Sequence, residues 1–563
     1  MTAVLSLLPD MMAAGWHKAT APLRIATRAS WPYRQLLGGP LTDHIAYHPW
    51  DGLPHRLEDA EALLRGRFRF HGEAVDVLHG TSVFDLVPPS PQWAEALQGW
   101  DWLPPLALAG GEPARLLATN LIAQWIARNT SYSEPAWSPQ VLARRLAHMF
   151  CHGKLVVANS DMLWRSRLFV SLREQARMLE RTSGEAPDGL PRFEAAAVLA
   201  LSGLCLEENP ARLAAGLARL EMEAQRQILP DGGHVSRSPE ALLHAFRHLA
   251  MVLETLAAAR QEPPHGLRNL QDRIAPMLRF FRHGDGALAL FHGGLEGDAR
   301  MIAGLLARDE VRGAPFHHAR HSGYQRVASG RSLVLMDCGT APQGAFSLQA
   351  HAGFCALEFS SGAQRIVVNC GGGGPMHRAW NQALRATAAH STLTLADTSS
   401  AQILPAGLAR DLLGPRLAGG PSADFSRRSE TPQGWTVNTM HDAWVEAFGA
   451  RHERQITLSP DGAVLTGADR VIPVPVKGKR PRLSFAIRFH IHPDIRVSPL
   501  EGGAVLLKLP NGEGWRFRAG GGAVEVEESV YLGGPIVRRT DQLVLASAVG
   551  DEPIERAWVF EQI

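Results

Sequence analysis

The sequence has no excess of charge of one sign. Its 563 residues carry 57 Lys and Arg against 55 Asp and Glu, a formal net charge of +2. The basic residues are spread along the chain, whereas binding along a phosphate backbone needs a concentrated basic face. A nucleic acid is therefore not expected as a partner. A local basic groove for an acidic sugar polymer remains compatible with this composition.

Cysteines are few, and none of them forms a CxxC pair. This spacing argues against a zinc finger or a disulfide framework. We interpret them as buried free thiols. The five cysteines are Cys151, Cys205, Cys338, Cys355 and Cys370.

Signals for export and membrane insertion are also lacking. No run reaches about 18 apolar residues, so no integral membrane segment is predicted. The N-terminal stretch MTAVLSLLPDMMAAGWHK has no basic region before its apolar residues, which makes it a poor secretory signal. A cytoplasmic location is predicted on this ground, with a periplasmic one as the alternative if a leader is missing from the sequence.

The length of the chain is too great for one ordinary core, so two or more domains are expected. Residues 1–95 mix short helical patterns with turns and are predicted to pack on a helical domain spanning 96–315. Apolar residues recur there at helical spacing, as in an amphipathic helix. The clearest stripe is formed by Leu242, Phe246, Leu249, Leu253 and Leu256.

The pattern changes near residues 310–325, where short runs with a period of two begin. LSFAIRFHIHP (483–493) alternates in this way, and residues 503–520 read as a hairpin that turns at Asn511-Gly512. Many short strands between Gly- and Pro-rich turns indicate a β-sandwich. We therefore predict a multidomain α + β protein, with the sandwich spanning 316–563.

The segment LPDGGHVSRSPEALLHAFRHL (229–249) is the first candidate for chemistry. Its DGG turn should lead into a helix that starts after Ser238, with Pro239 at the first position. Such a turn can present His234 and Arg237 at the lip of a helical domain. An ordinary helix cap with solvated side chains explains the same local sequence.

Two histidines inside that helix, His244 and His248, share one face because they are four residues apart. This spacing can hold a metal, but the glutamate of HExxH and a third ligand are both missing. We interpret them as a polar surface that is either solvated or faces a groove.

Three predicted strands each carry a polar residue near one end: His351, Asn369 and His390. In a sandwich these residues can converge into a weak metal site, since asparagine supplies no negative charge. Taken singly, each is also explained as a strand-end group with its hydrogen bonds satisfied.

Taken together, these segments resemble the heparinase II/III family over roughly residues 85–560. Each motif is weak alone, whereas their fixed order is specific. The segments that carry the resemblance are AWSPQVLARRL (136–146), LPDGGHVSRSP (229–239), GDGALALFHGG (284–294), AHAGFCALEFSSGAQRIVVNCG (350–371), TAAHSTLTLADTSS (387–400), HDAWVEAFGARHERQITLSPDGAVLTGAD (441–469) and IRFHIHP (487–493).

The resemblance implies an (α/α) toroid followed by a large antiparallel β-sandwich, with a substrate cleft between them. Characterised members cleave uronic-acid-containing polysaccharides by β-elimination. The reaction needs a group that neutralises the C5 carboxylate, a base that removes the C5 proton and an acid that protonates the leaving oxygen. An acidic polysaccharide or oligosaccharide is thus the expected partner of this chain, as a monomer or homodimer.

Carried over residue by residue, the resemblance assigns roles to the candidates. His234 corresponds to the base and Arg237 to the carboxylate clamp, while His244 and Tyr324 are further catalytic candidates. The family's metal set of His, Asp and His corresponds to His351, Asn369 and His390, and implies Zn or Ca in the sandwich, held more weakly because Asn replaces Asp. The predicted substrate-binding residues are Arg192, Glu240 and Arg385.

The chain departs from the family's lyases at two places. Residues 189–204 contain no Asn-His pair, and Glu240-Ala241-Leu242-Leu243 stands where the lyases carry Tyr-His. A polysaccharide lyase is the first functional hypothesis. The alternative is a non-catalytic anionic-glycan-binding or envelope polysaccharide-processing protein that has lost the tyrosine. A toroid-type glycoside hydrolase would need a carboxylate pair, for which Asp231 and Glu240 are the available residues.

Overall fold

The computed structural model describes residues 7–40, 42–78, 80–158, 160–206, 209–308, 315–475 and 482–563. Helices dominate the first half of the chain. They are α1 Leu8–Ala29, α2 Trp31–Gln35, α3 Leu57–Leu64, α4 Pro91–Gln98, α5 Leu103–Ala109, α6 Gly111–Arg128, α7 Pro139–His152, α8 Lys154–Val157, α9 Met162–Thr182, α10 Leu190–Cys205, α11 Pro210–Gln227, α12 Pro239–Ala258, α13 His265–Phe280 and α14 Ala299–Leu306, with the hairpin β1 Arg67–Phe70 and β2 Glu73–Asp76 between α3 and α4.

The helices from α4 onward build the toroid, in which α10 packs against α7, α11 and α12. Glycines let α10 and α11 approach closely, since a Cβ at Gly216 would lie 2.3 Å from the backbone nitrogen of Ala200. The start of α12 is confirmed: Pro239 is its first residue, and the Ser238 side chain accepts a hydrogen bond from the Ala241 N–H. Its predicted apolar stripe is buried except for the half-buried Leu253.

Among the described residues, α12 is also the one helix long and apolar enough by composition to cross a membrane. Because 67% of that stretch is buried inside the protein, it has the character of a core helix. The cysteines are all free; four are buried and Cys151 is half-buried.

Two antiparallel sheets form the second half. Their strands are β3 His318–Ala319, β4 Tyr324–Ser329, β5 Ser332–Asp337, β6 Leu357–Ser361, β7 Gln364–Val368, β8 Leu393–Leu395, β9 Ala423–Thr431, β10 Gly434–Trp444, β11 Ala450–Leu458, β12 Val464–Pro473, β13 Leu483–Ile491, β14 Arg496–Pro499, β15 Val505–Lys508, β16 Gly514–Ala519, β17 Glu525–Tyr531, β18 Arg538–Val549 and β19 Ile554–Gln562. One sheet has the order β14-β15-β16-β19-β12-β11-β10-β9, and the other β17-β18-β13-β7-β6-β5-β4-β3, with β8 also paired to β13. Three short helices, α15 Asn381–Leu384, α16 Leu408–Leu413 and α17 Val445–Phe448, lie between strands.

The alternation predicted for the sandwich is confirmed in β13, where Phe485, Ile487, Phe489 and Ile491 are all buried. The predicted hairpin joins β15 to β16, and Gly512 at its turn has a φ of +91°, a region that favours glycine. Between the sheets lies an aromatic core that includes Phe359, Trp515 and Phe560.

The change from helices to strands falls between α14, which ends at Leu306, and β3, which starts at His318. The predicted boundary near residue 315 lies in this interval. The N-terminal segment contributes Leu37, Leu63 and Phe68 to the same apolar cluster as the toroid, so it packs on the helical domain.

Candidate functional site

Arg237 holds the toroid to the sandwich. It follows the DGG turn with a φ of +61°, and its side chain reaches the strands, where it is 6% exposed. It donates hydrogen bonds to the carbonyl oxygens of Ser322, Thr340 and Gly323 at 2.8, 3.0 and 3.3 Å, and to the Asp337 carboxylate. All its nitrogens are therefore engaged within the protein, which leaves none to clamp a substrate carboxylate.

Tyr324 belongs to the same interface. Its ring lies 4.7 Å below the Arg237 guanidinium, and its hydroxyl donates to the Arg237 carbonyl oxygen at 2.7 Å. Burial raises the pKa of this phenol well above its ordinary value. The candidate acid is thus fully buried and hydrogen-bonded to backbone, and it lines none of the cavities described below.

His234, the candidate base, is 3% exposed rather than presented at a lip. Its Nδ1 accepts hydrogen bonds from the Ser236 hydroxyl at 2.6 Å and the Ser236 N–H at 3.1 Å, so its Nε2 carries the proton that faces Gln227 Oε1. Burial lowers its pKa to about 4. The lone pair needed to remove a proton is therefore occupied.

Other motif residues also join the domains. Asp231 accepts hydrogen bonds from the backbone N–H groups of His321 and Ser322 at 2.8 and 2.7 Å, so its carboxylate ties the turn to the start of the sandwich. In the GDGALALFHGG segment, His283 contacts Glu358 through Nε2 at 2.9 Å, and Glu358 also accepts from the Leu290 N–H.

The three predicted substrate-binding residues lie apart. Arg192 forms an ion pair with Asp188 at 2.5 Å on the toroid. Arg385 is buried in the sandwich and donates to the carbonyl oxygens of Ala350, Pro415 and Ser347, which leaves it a loop-bracing role. Glu240 accepts from the Leu295 N–H at 3.3 Å, and burial raises its pKa to about 7.

The predicted metal set converges only in part. His351 Nδ1 and His390 Nε2 are 3.0 Å apart. Asn369 instead donates to Glu358 and accepts from the Ser391 N–H, both at 3.1 Å. Within the described ranges, no Asp, Glu or Cys joins the two imidazoles in a group of three ligand atoms. Two neutral rings without a carboxylate fit Zn or Ca poorly.

A charged cavity of about 240 Å³ lies inside the toroid, between α7, α10 and α12. His244 lines it, and its ring has no hydrogen-bond partner among the described residues. The other ionisable groups of the lining are Asp51, Asp101, Arg144, His148, Cys151, Glu194, Arg247 and His248. We call this space the toroid cavity.

The environment of the toroid cavity favours the uncharged forms of Asp101, Glu194 and the imidazoles beside two arginines. Asp51 differs, because hydrogen bonds from His152 and His55 outweigh its burial and lower its pKa. Burial raises the pKa of both Asp101 and Glu194. Burial, aided by the Arg247 charge, lowers the pKa of His244 to about 4. His248 is 2% exposed, and both His244 and His248 line the cavity. Of the two predicted alternatives, a solvated face or a face turned to a groove, the structure therefore agrees with the second.

Several polar atoms of this lining have no hydrogen-bond partner in the part of the chain that the structure describes. They are Asp101 Oδ1, Arg247 Nε and His248 Nδ1, all buried. Native proteins pair the great majority of such atoms, so each exception needs an explanation. The remaining Arg247 nitrogens contact the Asp51 carbonyl oxygen and His248 Nε2, both at 2.8 Å.

A second cavity, of about 380 Å³, shares Asp101 with the first and is also lined by His55, Arg56, Arg69 and the sandwich residue Pro535. A wider cavity of about 590 Å³ near the N-terminal hairpin has Arg65 as the one ionisable residue of its described lining. A cavity of about 430 Å³ in the sandwich is lined by His490, Glu528 and Arg539. Ionisable residues are most concentrated in the lining of the toroid cavity, which we therefore take, with its neighbour, as the candidate site.

Sequence reasoning found His244 but missed most of this site. Arg144 lies within AWSPQVLARRL, a segment that carries the family resemblance, and the polar residues of that segment are the signal that could have identified it. Asp51, Asp101 and Glu194 stand in three separate segments without a common motif, and only the fold brings them together.

Comparisons with known proteins agree with this architecture. A family model described as "Heparinase II/III-like, C-terminal" matches residues 311–559. The chain is 32% identical over 532 residues to "FtsZ-localized protein C" of Caulobacter vibrioides (strain NA1000 / CB15N), covering 93% of this chain and 91% of that protein.

Solved structures show the same fold at low identity. The crystal structure of heparinase III superposes with a TM-score of 0.70 at 14% identity, covering 99% of this chain and 92% of that one. Heparan sulfate lyase HepC from Pedobacter heparinus gives a TM-score of 0.59 at 14% identity, covering 99% and 90%.

Proposed function

Because the chain belongs to the heparinase II/III family, we propose that it binds a carboxylated saccharide in the toroid cavity. One observation carries the proposal: the His244 ring lines that cavity without a hydrogen-bond partner among the described residues, and the cationic Arg144 and Arg247 belong to the same lining. Polar groups that face an enclosed space without a partner are the groups that a bound ligand satisfies. A sugar with hydroxyl and carboxylate groups offers the missing donors and acceptors.

The charges of the lining suit an acidic sugar. Arg144 and Arg247 are the cationic groups, and a guanidinium can bind a carboxylate through two parallel hydrogen bonds. Asp101 and Glu194, whose pKa values are raised, can donate to sugar oxygens when protonated. The toroid cavity is below the range of about 300–1,000 Å³ that is usual for ligand sites, so it fits a single sugar unit, with the chain continuing into the adjoining cavity.

Binding is favoured over turnover. β-Elimination needs a base matched to neutral pH and an acid for the leaving group. His244, with a pKa near 4, is a weak base. None of the five tyrosines (Tyr33, Tyr47, Tyr132, Tyr324 and Tyr531) lines the toroid cavity. Elimination by His244 is the second candidate, favoured by its uncharged ring facing the two arginines.

The experiment is a titration of purified protein with heparan sulfate, chondroitin, hyaluronan and alginate oligosaccharides by calorimetry, while ultraviolet absorbance follows any unsaturated product. We expect saturable binding that weakens with salt, and no growth of absorbance. The double variant Arg144→Gln/Arg247→Gln should bind about 10–100-fold more weakly, since hydrogen bonds to charged groups are worth about 1.5–3 kcal/mol.

Arg192→Gln is the matched control, because Arg192 lies on the toroid outside the cavity lining. Circular dichroism verifies that each variant is folded. Unchanged affinity in the double variant, or no binding to any of the four glycans, would contradict the proposal. Growth of absorbance that His244→Gln abolishes would replace binding by elimination.

The curated relative is named for localisation with FtsZ. Given 32% identity across most of both chains, we propose that this protein also acts where FtsZ assembles. A fluorescent fusion imaged together with FtsZ in the native host should coincide with it, and a uniform distribution would refute this part. The cytoplasmic location stays a prediction that the same images test.

A further inference from the structure

A second polar cluster lies at the edge of the toroid cavity, where the loop between α2 and α3 meets α7. Asp51 Oδ2 is 2.6 Å from His55 Nε2 and 2.6 Å from His152 Nε2. The two rings are nearly perpendicular, with centroids 5.4 Å apart. One carboxylate oxygen is thus shared by two imidazoles that come from segments about a hundred residues apart.

The carboxylate is fixed by the backbone around it. Its other oxygen, Oδ1, accepts from the Leu53 N–H at 3.0 Å, and Arg247 donates to the Asp51 carbonyl oxygen at 2.8 Å. Metal sites commonly orient their ligands by such outer contacts. The Asp51 side chain is 7% exposed and the imidazoles are 18% and 17% exposed, so water can reach the cluster.

We infer that Asp51, His55 and His152 form a binding site for a divalent first-row transition ion such as Zn²⁺. Two imidazole nitrogens and one carboxylate oxygen are the protein ligands of many open zinc sites, in which water takes the fourth position. The three ligand atoms lie within 4.8 Å of one another. Since tetrahedral ligand atoms are about 3.3 Å apart at metal bonds of about 2.0–2.1 Å, small movements of the rings admit the ion.

Charge and protons are compatible with this binding. Without an ion, each Nε2–H donates to Asp51. With one, the proton leaves each Nε2, because only an imidazole nitrogen with a free lone pair binds a metal. The carboxylate balances one of the two positive charges of the ion. The remaining coordination positions are filled by water.

A second group of candidate ligands, Cys355, His441 and His452, is less suitable. All three are buried. His441 Nδ1 accepts the Ala443 N–H at 3.2 Å, so its Nε2 carries a proton toward His452 and offers no lone pair.

The test is Zn²⁺ titration of the full-length, chelator-stripped protein, using calorimetry and competition with a chromophoric chelator. No glycan is needed, so the outcome is independent of saccharide binding. We expect the intact cluster to bind one equivalent. His55→Gln/His152→Gln should lose that equivalent, with an affinity reduced by more than about 100-fold, since even outer-shell changes cost 10–100-fold.

Two controls separate this site from other histidines. His148→Gln changes the residue one turn before His152. The His148 ring contacts the Gly99 carbonyl oxygen and not the cluster, so this variant should still bind one equivalent of Zn²⁺. His351→Gln/His390→Gln removes the imidazole pair of the sandwich and should also keep it. Loss of the equivalent in either control would assign the ion elsewhere and overturn the inference.

Thermal unfolding with and without Zn²⁺ separates loss of metal binding from loss of stability in a variant. Zn²⁺ should raise the midpoint of the natural sequence by stabilising the folded state, and leave that of His55→Gln/His152→Gln unchanged. No Zn²⁺ binding by the natural sequence, or equal binding by the double variant, would also refute the site.

Discussion

The domain interface and the toroid cavity both concentrate buried charge, but they use it differently. At the interface, Arg237 engages three carbonyl oxygens and the Asp337 carboxylate, and His292 completes the group through Asp337 at 3.0 Å. In the toroid cavity, the His244 ring has no hydrogen-bond partner among the described residues. The first arrangement is complete within the protein, whereas the second leaves a polar ring for a ligand.

This difference changes the meaning of the family motifs. The DGGH-x-x-R turn is the segment that most resembles a catalytic motif, yet its side chains bind the sandwich and their own turn. The groups that line the toroid cavity come from α7, α10 and α12, and from the loops that carry Asp51 and Asp101. In this chain, the residues of the turn position the two domains, and residues of other segments line the site.

The largest effect on stability is expected from Arg237→Met, which tests whether Arg237 stabilises the domain interface. It leaves the buried Asp337 carboxylate without its cation, a change that costs about 3–5 kcal/mol. Arg192→Met is the control, because its half-buried ion pair should be worth about 1 kcal/mol or less. Urea unfolding followed by circular dichroism measures both. If the two variants were equally stable, Arg237 would not be the residue that holds the domains.

Local patterns were sufficient for much of the fold. The start of α12 followed from a Ser-Pro cap, and β13 followed from its alternation, because both depend on neighbours in sequence. The resemblance supplied the toroid and the sandwich through the order of the motifs. Each of these features is set by contacts within a segment or by the succession of segments.

The roles of the site residues could not be predicted in this way. Whether His234 acts as a base depends on Ser236 and Gln227, which occupy both of its nitrogens. The Asp51 cluster joins residues about a hundred positions apart, although Asp51-x₃-His55 and His148-x₃-His152 were visible spacings. Tertiary contacts decide such roles, and no local pattern records them.

A change of intermediate size in the free energy of unfolding is expected at acid pH. Burial holds the pKa of His234 at about 4, below the ordinary 6.5, so the unfolded state binds more protons as the pH falls below 6.5. The folded state therefore loses stability between about pH 6.5 and pH 4, by up to about 1.4 kcal/mol per pH unit for this group. Urea unfolding at pH 7 and pH 5 measures this loss. Between these two pH values, the free energy of unfolding should fall by about 2 kcal/mol less in His234→Gln than in the natural sequence. Equal losses would mean that His234 titrates normally, and that the turn is more open than its hydrogen bonds indicate.

The smallest effect on stability is expected from His244→Gln, which tests whether the toroid cavity binds the ligand. His244→Gln changes a ring that lines the toroid cavity without a hydrogen-bond partner among the described residues, so the free energy of unfolding should change by less than about 0.5 kcal/mol. Saccharide affinity should fall about 5-fold, the value of one neutral hydrogen bond of about 1 kcal/mol.

His234→Gln is the control, because the His234 ring forms hydrogen bonds only within its own turn and to Gln227. It should show the opposite pattern, with lower stability at neutral pH and unchanged affinity per folded molecule. Calorimetry measures the saccharide affinity of the two variants, and urea unfolding measures their stability. If His234→Gln weakened binding more than His244→Gln, the ligand would lie at the turn, and the separation between a structural interface and a binding cavity would fail.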